Sequence, residues 1–166
     1  MRRSLLALVP AVAAIAIAGC GGATGQNGRK TLVPSGAKHA TAAQPVSDTV
    51  RVGTTKLGRI LVDSHGRSLY LFEKDTGTTS TCYGACASLW PPLTVSASPK
   101  AGAGIVAAKL GTTRRNDGQA EVTYNGHPLY YYAGDQRAGD ISGQGLNQFG
   151  AAWDVLGTSG NGIDNG

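Results

Sequence analysis

The sequence predicts an all-β fold, in which two tandem β-hairpin repeats, with a minor helical turn, pack as one small sandwich-like domain. The first observation behind this prediction is an internal repeat: residues 58–75 align without a gap with residues 118–135, at an offset of 60. Each copy contains two apolar runs on either side of a turn signal, which is typical of a hairpin. Residues 49–157, which include both copies, are sufficient for a single modest core.

Residues 1–19 are predicted to be a secretory signal peptide. Their apolar run, residues 5–18, is 14 residues long, whereas a membrane-spanning helix needs about 20, and Arg2-Arg3 precede it as a positive flank. The run ends in Ile17-Ala18-Gly19-Cys20, which is typical of a lipid-attachment site. Cleavage before Cys20 would expose a cysteine whose diacylglyceryl group supplies two acyl chains, enough for stable anchoring. The alternative is an ordinary secretory signal followed by an incidental cysteine.

The segments that flank the predicted domain are polar. Residues 20–48, the lipidated Cys20 and a disordered tether, have too few apolar side chains to form a core. Residues 158–166 are predicted to be a polar tail. Without the signal peptide, 13 basic and 10 acidic residues remain. Within the domain the basic residues are scattered, apart from the Arg114-Arg115 pair, so no nucleic-acid partner is expected.

The two repeats extend over residues 58–93 and 118–157, and each begins with a predicted hairpin. The predicted two-residue turns are His65-Gly66 and Asn125-Gly126, and Asn-Gly is the stronger of these signals. A short helical turn is expected at residues 86–89. The repeats therefore supply the strands, and the helical turn lies near the end of the first repeat.

The second strand of each hairpin is apolar on both faces. Period-two alternation separates Leu69 and Leu71 from Tyr70 and Phe72. The second copy repeats this pattern with Leu129 and Tyr131 on one face and Tyr130 and Tyr132 on the other. Such a strand is expected to lie between two packed layers, because Tyr and Phe bury large areas. The alternative is an aromatic face that stacks on a ligand such as a glycan ring.

An acidic residue closes each copy, Asp75 in the first and Asp135 in the second. Each precedes a loop rich in Gly, Thr and Ser, where a carboxylate can accept backbone N–H bonds and fix the turn. We expect this structural role for both. The alternative is a metal site formed by Asp135 with Asp140, but the segment lacks the pattern and closing glutamate of an EF-hand loop.

These residues resemble a known family, the small bacterial lipoproteins that carry a repeated Tyr-x-aromatic-x-x-Asp motif, a secreted repeat of unknown function. The motif occurs here twice, as Tyr70, Phe72 and Asp75 and as Tyr130, Tyr132 and Asp135. The segments 82–93 and 123–135 also resemble that family. The resemblance implies an exported two-repeat domain and supplies no established activity or catalytic residue. Because the second copy lacks cysteines, the copies are not expected to form equivalent sites.

Cys82 and Cys86 form an even set once Cys20 is lipidated, and exported domains retain disulfides. A disulfide is the favoured interpretation, with Gly84 permitting the turn that it needs, and so short a closed loop contributes about 2 kcal/mol. The alternative is a copper or redox carrier that uses both thiolates, with His65 or His127 as a third ligand.

No enzymatic function is predicted. No serine lies in a Gly-x-Ser-x-Gly context, and no cofactor or catalytic residue is indicated. A glycosidase-like pair would require Asp75 and Asp135 to face each other in a cleft. The sequence instead favours a non-enzymatic envelope lipoprotein on the extracytoplasmic face of the cell membrane. Its expected partners are the membrane, through the lipid anchor, and an envelope protein or glycan.

Overall fold

The computed structural model describes residues 47–164. The predicted signal peptide, Cys20 and most of the predicted tether lie outside the described residues. Within residues 47–164 there are ten short strands: β1 Thr49–Thr55, β2 Gly58–Asp63, β3 Tyr70–Phe72, β4 Thr94–Val95, β5 Lys100–Ala101, β6 Leu110–Arg114, β7 Ala120–Tyr124, β8 His127–Pro128, β9 Leu146–Gln148 and β10 Ala151–Val155. Helix α1, Ala85–Leu89, confirms the predicted helical turn, and a 3₁₀ turn occupies Ala107–Lys109.

The all-β prediction is confirmed, and the strands form three small sheets within the described part of the chain. Their orders are β2-β1-β5, β3-β10-β9 and β4-β7-β6, with β8 also paired to β7. Strands β1 and β6 were not among the predicted hairpin strands. They pair antiparallel with β2 and β7, so each repeat begins one strand earlier than its sequence alignment indicated.

The two repeats exchange their later segments. Strand β4, which follows the first repeat, pairs with β7 of the second. Strand β10, near the end of the second repeat, pairs with β3 of the first. The main chains also meet at Tyr70 and Tyr130, where each N–H donates to the other residue's carbonyl at 2.9 and 3.0 Å. The repeats are therefore joined by backbone hydrogen bonds as well as by side chains.

The turn of the first copy is longer than predicted. The Asp63 N–H donates to the Arg67 carbonyl at 3.0 Å, so the loop contains Ser64, His65 and Gly66, and Gly66 has φ 85°. This geometry is that of a three-residue hairpin loop whose last residue is left-handed. The prediction of a two-residue His65-Gly66 turn was therefore wrong, because the Asp63 carboxylate stabilises the wider loop. It accepts the backbone N–H groups of His65 and Arg67 at 2.8 and 2.9 Å.

The turn of the second copy is the predicted one. Tyr124 pairs with His127 across Asn125 and Gly126, which have φ 52° and 88°. Two consecutive positive φ angles define a type I′ turn. This loop is one residue shorter than its counterpart, so the structural offset between β2 and β7 is 61 rather than 60, and the gapless alignment was wrong in these strands.

The register shift shows which core residues correspond. Leu61 and Val122 make equivalent bonds: each N–H donates to the segment after a tryptophan, and each carbonyl accepts from Leu69 or Leu129. Ile60 therefore corresponds to Glu121. Both residues are fully buried, so an apolar side chain in the first repeat is replaced by a carboxylic acid in the second.

Both faces of the return strands are buried, as the sandwiched interpretation predicted. One face contributes to a leucine-rich cluster: Val50, Leu61, Leu69, Leu71, Leu93, Val122, Tyr124, Leu129, Tyr131 and Leu156. The other contributes to a tryptophan cluster: Ile60, Val62, Tyr70, Phe72, Cys82, Cys86, Trp90, Tyr130, Trp153 and Val155. The alternative of an exposed aromatic face is wrong, because Tyr70, Phe72 and Tyr130 are at most 2% exposed and Tyr132 packs partly buried against the tryptophan cluster.

Ordered structure extends past both predicted limits of the domain. Ser47 is buried, and its hydroxyl lies 2.9 Å from that of Ser64. At the other end, the Ile163 N–H donates to the Val155 carbonyl and Gly162 pairs with Leu156. The described part of the predicted tail folds back because these backbone bonds hold it. No helix within residues 47–164 is long and apolar enough to cross a bilayer.

Candidate functional site

The two sequence motifs meet at the centre of the domain and exchange hydrogen bonds. The hydroxyl of Tyr70 donates to the Asp135 carboxylate at 2.7 Å, and that of Tyr130 donates to the Asp75 carboxylate at 2.6 Å. Each tyrosine therefore binds the acid of the other repeat. Burial, and then the neighbouring carboxylate, raise the pKa of Tyr70 well above its usual range. The phenol hence acts as a hydrogen-bond donor.

The second carboxylate oxygen of each acid fixes the loop that follows it. Asp75 accepts the backbone N–H of Thr81 at 2.8 Å and its hydroxyl at 2.6 Å. Asp135 accepts the backbone N–H of Ser142 at 2.8 Å. These bonds are those of the predicted structural role. The tyrosine-to-acid bonds between repeats were not predicted, since sequence spacing does not reveal which acid faces which phenol.

Aromatic rings continue this link between the repeats. Trp90 and Trp153 stack with ring centroids 4.0 Å apart and planes 7° apart. Phe72 stacks on Trp153 at 4.0 Å, and Tyr132 lies on Trp90 at 4.4 Å. Each motif's second aromatic residue therefore covers a tryptophan of the other repeat, which extends the cross-repeat pairing from hydrogen bonds to ring stacking.

A buried ion pair interrupts the symmetry of the two motifs. Arg115 is 3% exposed, and one guanidinium nitrogen donates to Glu121 at 2.8 Å and to the Ser80 hydroxyl at 2.6 Å. Ser80 in turn lies 2.7 Å from the Tyr130 hydroxyl. This network therefore connects the Arg115–Glu121 ion pair to Tyr130, the tyrosine of the second motif.

Glu121 is the most perturbed carboxyl group of this network. Its Oε1 atom is buried and has no hydrogen-bond partner among the described residues. Burial raises the pKa of Glu121 to about 7, although the Arg115 guanidinium opposes this shift. Sequence analysis missed this pair. The available signal was an acid between Ala120 and Val122, in the strand equivalent to the apolar β2.

Cys82 and Cys86 form a disulfide, with their Cα atoms 5.3 Å apart. This bond confirms the favoured interpretation of the pair. The Cys82 carbonyl accepts from Arg115 at 2.6 Å, so the disulfide loop is also held to the buried ion pair. A carrier with two free thiolates is contradicted, because the disulfide engages both sulfur atoms.

The remaining candidate metal residues lie apart or are engaged. Asp140 accepts the backbone N–H groups of Gln136 and Arg137 at 3.1 and 2.9 Å, while Asp135 binds Tyr70 and Ser142. Within residues 47–164, no group of three or more His, Cys, Asp or Glu side chains is arranged to hold a metal ion. His65 and His127 are therefore not brought together with the cysteines as a ligand set.

This geometry defines a class of protein, a duplicated β domain. Its two repeats are joined by tyrosine-to-carboxylate hydrogen bonds and by stacked tryptophan rings. A family model described as a secreted repeat of unknown function matches residues 51–94 and 111–156. The chain belongs to this family, so its location is extracytoplasmic. Searches of curated proteins and of solved structures found no significant match. The matched segments begin within β1 and at β6, which agrees with the three-stranded start of each structural repeat.

Proposed function

We propose that this protein is a lipid-tethered envelope domain that acts by binding or structural interaction rather than by catalysis. One observation carries the proposal: the phenols and carboxylates of Tyr70, Tyr130, Asp75 and Asp135 are all bonded within the domain. Groups used in this way stabilise a scaffold and are not free to act on a substrate. The exported family and the lipid-attachment sequence before Cys20 support the proposed location.

Lipid anchoring is tested by phase partition of the full-length protein and its Cys20→Ala variant after export. We expect the wild-type chain in the detergent phase, with a mass that includes a diacylglyceryl group. The variant is expected to lack that group. Recovery of an unmodified wild-type chain from the aqueous phase would reject the anchor.

The non-catalytic role is tested by binding of the detergent-solubilised lipoprotein to isolated cell envelopes. Saturable binding is expected, and Tyr70→Phe is expected to retain it, because this hydroxyl is internal. The thermal midpoint of the variant reports whether it remains folded. Absence of wild-type binding, or its loss in a folded Tyr70→Phe variant, would contradict the proposal.

A further inference from the structure

A cleft runs along one face of β1, between this strand and the loop formed by residues 138–142. It consists of two adjoining cavities of about 230 and 390 Å³, which share Gly139. Arg51, Gly53 and Thr55 line the first cavity on the β1 side, and Lys56 lines the second. None of the motif tyrosines or acids lines the cleft, although the backbone N–H of Ser142 donates to Asp135.

The cleft has a cation near each end. The side chains of Arg51 and Lys56 make no hydrogen bond or ion pair with another residue of 47–164. Arg51 lies within β1, and the exposed Lys56 follows its last residue, Thr55. Lys100 and Arg137, by contrast, are paired with acids. Because the side chains of Arg51 and Lys56 have no such partner among the described residues, they are available to an external anion.

The absence of a side chain at Gly66 leaves room for the Arg51 guanidinium. Gly66 has φ 85°, and a Cβ atom there would lie 3.0 Å from the Ala138 Cβ and 3.4 Å from Nη2 of Arg51. The Arg51 guanidinium therefore lies near the backbone of Gly66, which has no side chain to displace it. Gly111 is the counterpart of Arg51 in the second repeat, as the strand registers show, so this cation is specific to the first repeat.

One acid, Asp140, also lines the cleft. Its carboxylate is already engaged by two backbone N–H groups, and the Arg137 side chain lies 3.6 Å away. The Ser142 and Thr54 side chains add hydroxyl groups to the lining residues. Residues 47–164 contain ten basic and ten acidic residues, so the positive cleft is a local feature of a balanced domain.

We infer that this cleft binds a linear anionic polymer of the cell envelope, a chain of polyol or sugar units joined by phosphates. Two separate cations in adjoining cavities fit several anionic groups along one chain better than a single small ion. This inference rests on the proposed binding function and specifies its ligand class.

The test measures binding of the intact lipoprotein, in a neutral detergent, to purified poly(glycerol phosphate) by calorimetry. Arg51→Gln/Lys56→Gln is the test variant. Arg59→Gln/Arg114→Gln is its charge-matched control, because both of these arginines are exposed and neither lines the cleft. We expect the test variant to bind about tenfold more weakly and the control to change by less than about twofold.

Three results would overturn the inference: no wild-type binding to the polymer, equal losses in the two variants, or equal affinity for neutral dextran. A fourth would reassign the cleft to the membrane: Arg51 and Lys56 matter only for vesicles in which phosphatidylglycerol replaces phosphatidylcholine. Thermal midpoints of all variants report folding. If the wild type binds whole envelopes but not the purified polymer, the polymer site is rejected while the proposed function stands. If the wild type binds no envelopes, the proposed function itself fails.

Discussion

At the scale of single residues, the buried Glu121 is the main departure from the symmetry of the repeats. The backbone of β7 needs only an apolar side chain there, as Ile60 shows in β2. Glu121 instead binds Arg115 through one oxygen and leaves the other without a partner among the described residues. A buried ion pair of this kind contributes little net stability, but breaking it leaves an uncompensated charge.

Glu121 makes folding stability depend on pH. Its pKa is 4.5 in an unfolded chain and is raised to about 7 by burial in the folded domain. The folded state therefore retains the proton that the unfolded state loses, and the free energy of unfolding falls as the pH rises from 4.5 to about 7. We expect a decrease of as much as about 3 kcal/mol in urea titrations across this window.

In Glu121→Gln, the free energy of unfolding is expected to fall less steeply as the pH rises from 4.5 to about 7. Asp154, whose pKa is also raised by burial, contributes equally in both proteins. Asp63 has a lowered pKa, so its contribution is lost only as the pH falls below 3.8. An unchanged slope in Glu121→Gln would show that another group carries the effect.

The first repeat shows which residues could replace the ion pair, because Thr55 and Ile60 are the counterparts of Arg115 and Glu121. Arg115→Thr leaves Glu121 buried without its cation and is expected to lower the free energy of unfolding by about 3–5 kcal/mol at pH 8. Arg115→Thr/Glu121→Ile copies Thr55 and Ile60 and is expected to recover at least about 2 kcal/mol. Chemical denaturation of the wild-type protein, Arg115→Thr, Glu121→Ile and the double variant measures the coupling, and additive effects of the two substitutions would exclude it.

At the scale of elements, the disulfide stabilises the loop that leads into α1. Cys82 and Cys86 are 0% and 6% exposed, and their bond closes a short loop. Cys82→Ser/Cys86→Ser is expected to lower the free energy of unfolding by about 2 kcal/mol. A reductant should lower the denaturation midpoint of the wild type and leave that of the variant unchanged. Equal responses of the two proteins to reductant would contradict a native disulfide.

The hairpin between β9 and β10 contains an unfavourable turn residue. Phe149 has φ 57° and precedes Gly150 with φ 97°, a pair of angles that favours Asn-Gly. Phe149→Asn is expected to stabilise the domain by about 0.5–1 kcal/mol, because a bulky side chain is strained at positive φ. The matched control is Asn125→Phe in the β7–β8 turn, which should have the opposite effect. A lower thermal midpoint for Phe149→Asn would indicate that the exposed Phe ring makes a stabilising contact.

At the scale of the whole molecule, the contacts between the repeats predict that neither repeat folds by itself. The tyrosine-to-acid bonds, the tryptophan stack and the pairing of β10 with β3 all join the two repeats. Residues 47–103 and 104–164 expressed separately are therefore expected to lack native structure. Near-ultraviolet circular dichroism should show no ordered tryptophan signal until the fragments are mixed. A native-like signal from either fragment alone would refute this interdependence.

The sequence by itself determined the all-β class, the duplication, the buried return strands and the disulfide. These features depend on local turn chemistry, on period-two alternation and on cysteine count, all of which act within one segment. Asn125-Gly126 is the clearest case, because a type I′ turn needs only those two residues. The structural role of Asp75 and Asp135 could be predicted for the same reason.

Only the tertiary structure decided which residues of the two repeats meet. The three-residue loop after Asp63 shifted β2 by one position, a shift that the gapless alignment concealed. That shift makes Ile60 the counterpart of Glu121, and the fold brings Glu121 together with Arg115, which also donates to Ser80. The cross-repeat Tyr70–Asp135 and Tyr130–Asp75 bonds likewise depend on how distant segments pack, because hydrogen bonding acts over about 3 Å in space and is indifferent to separation along the chain.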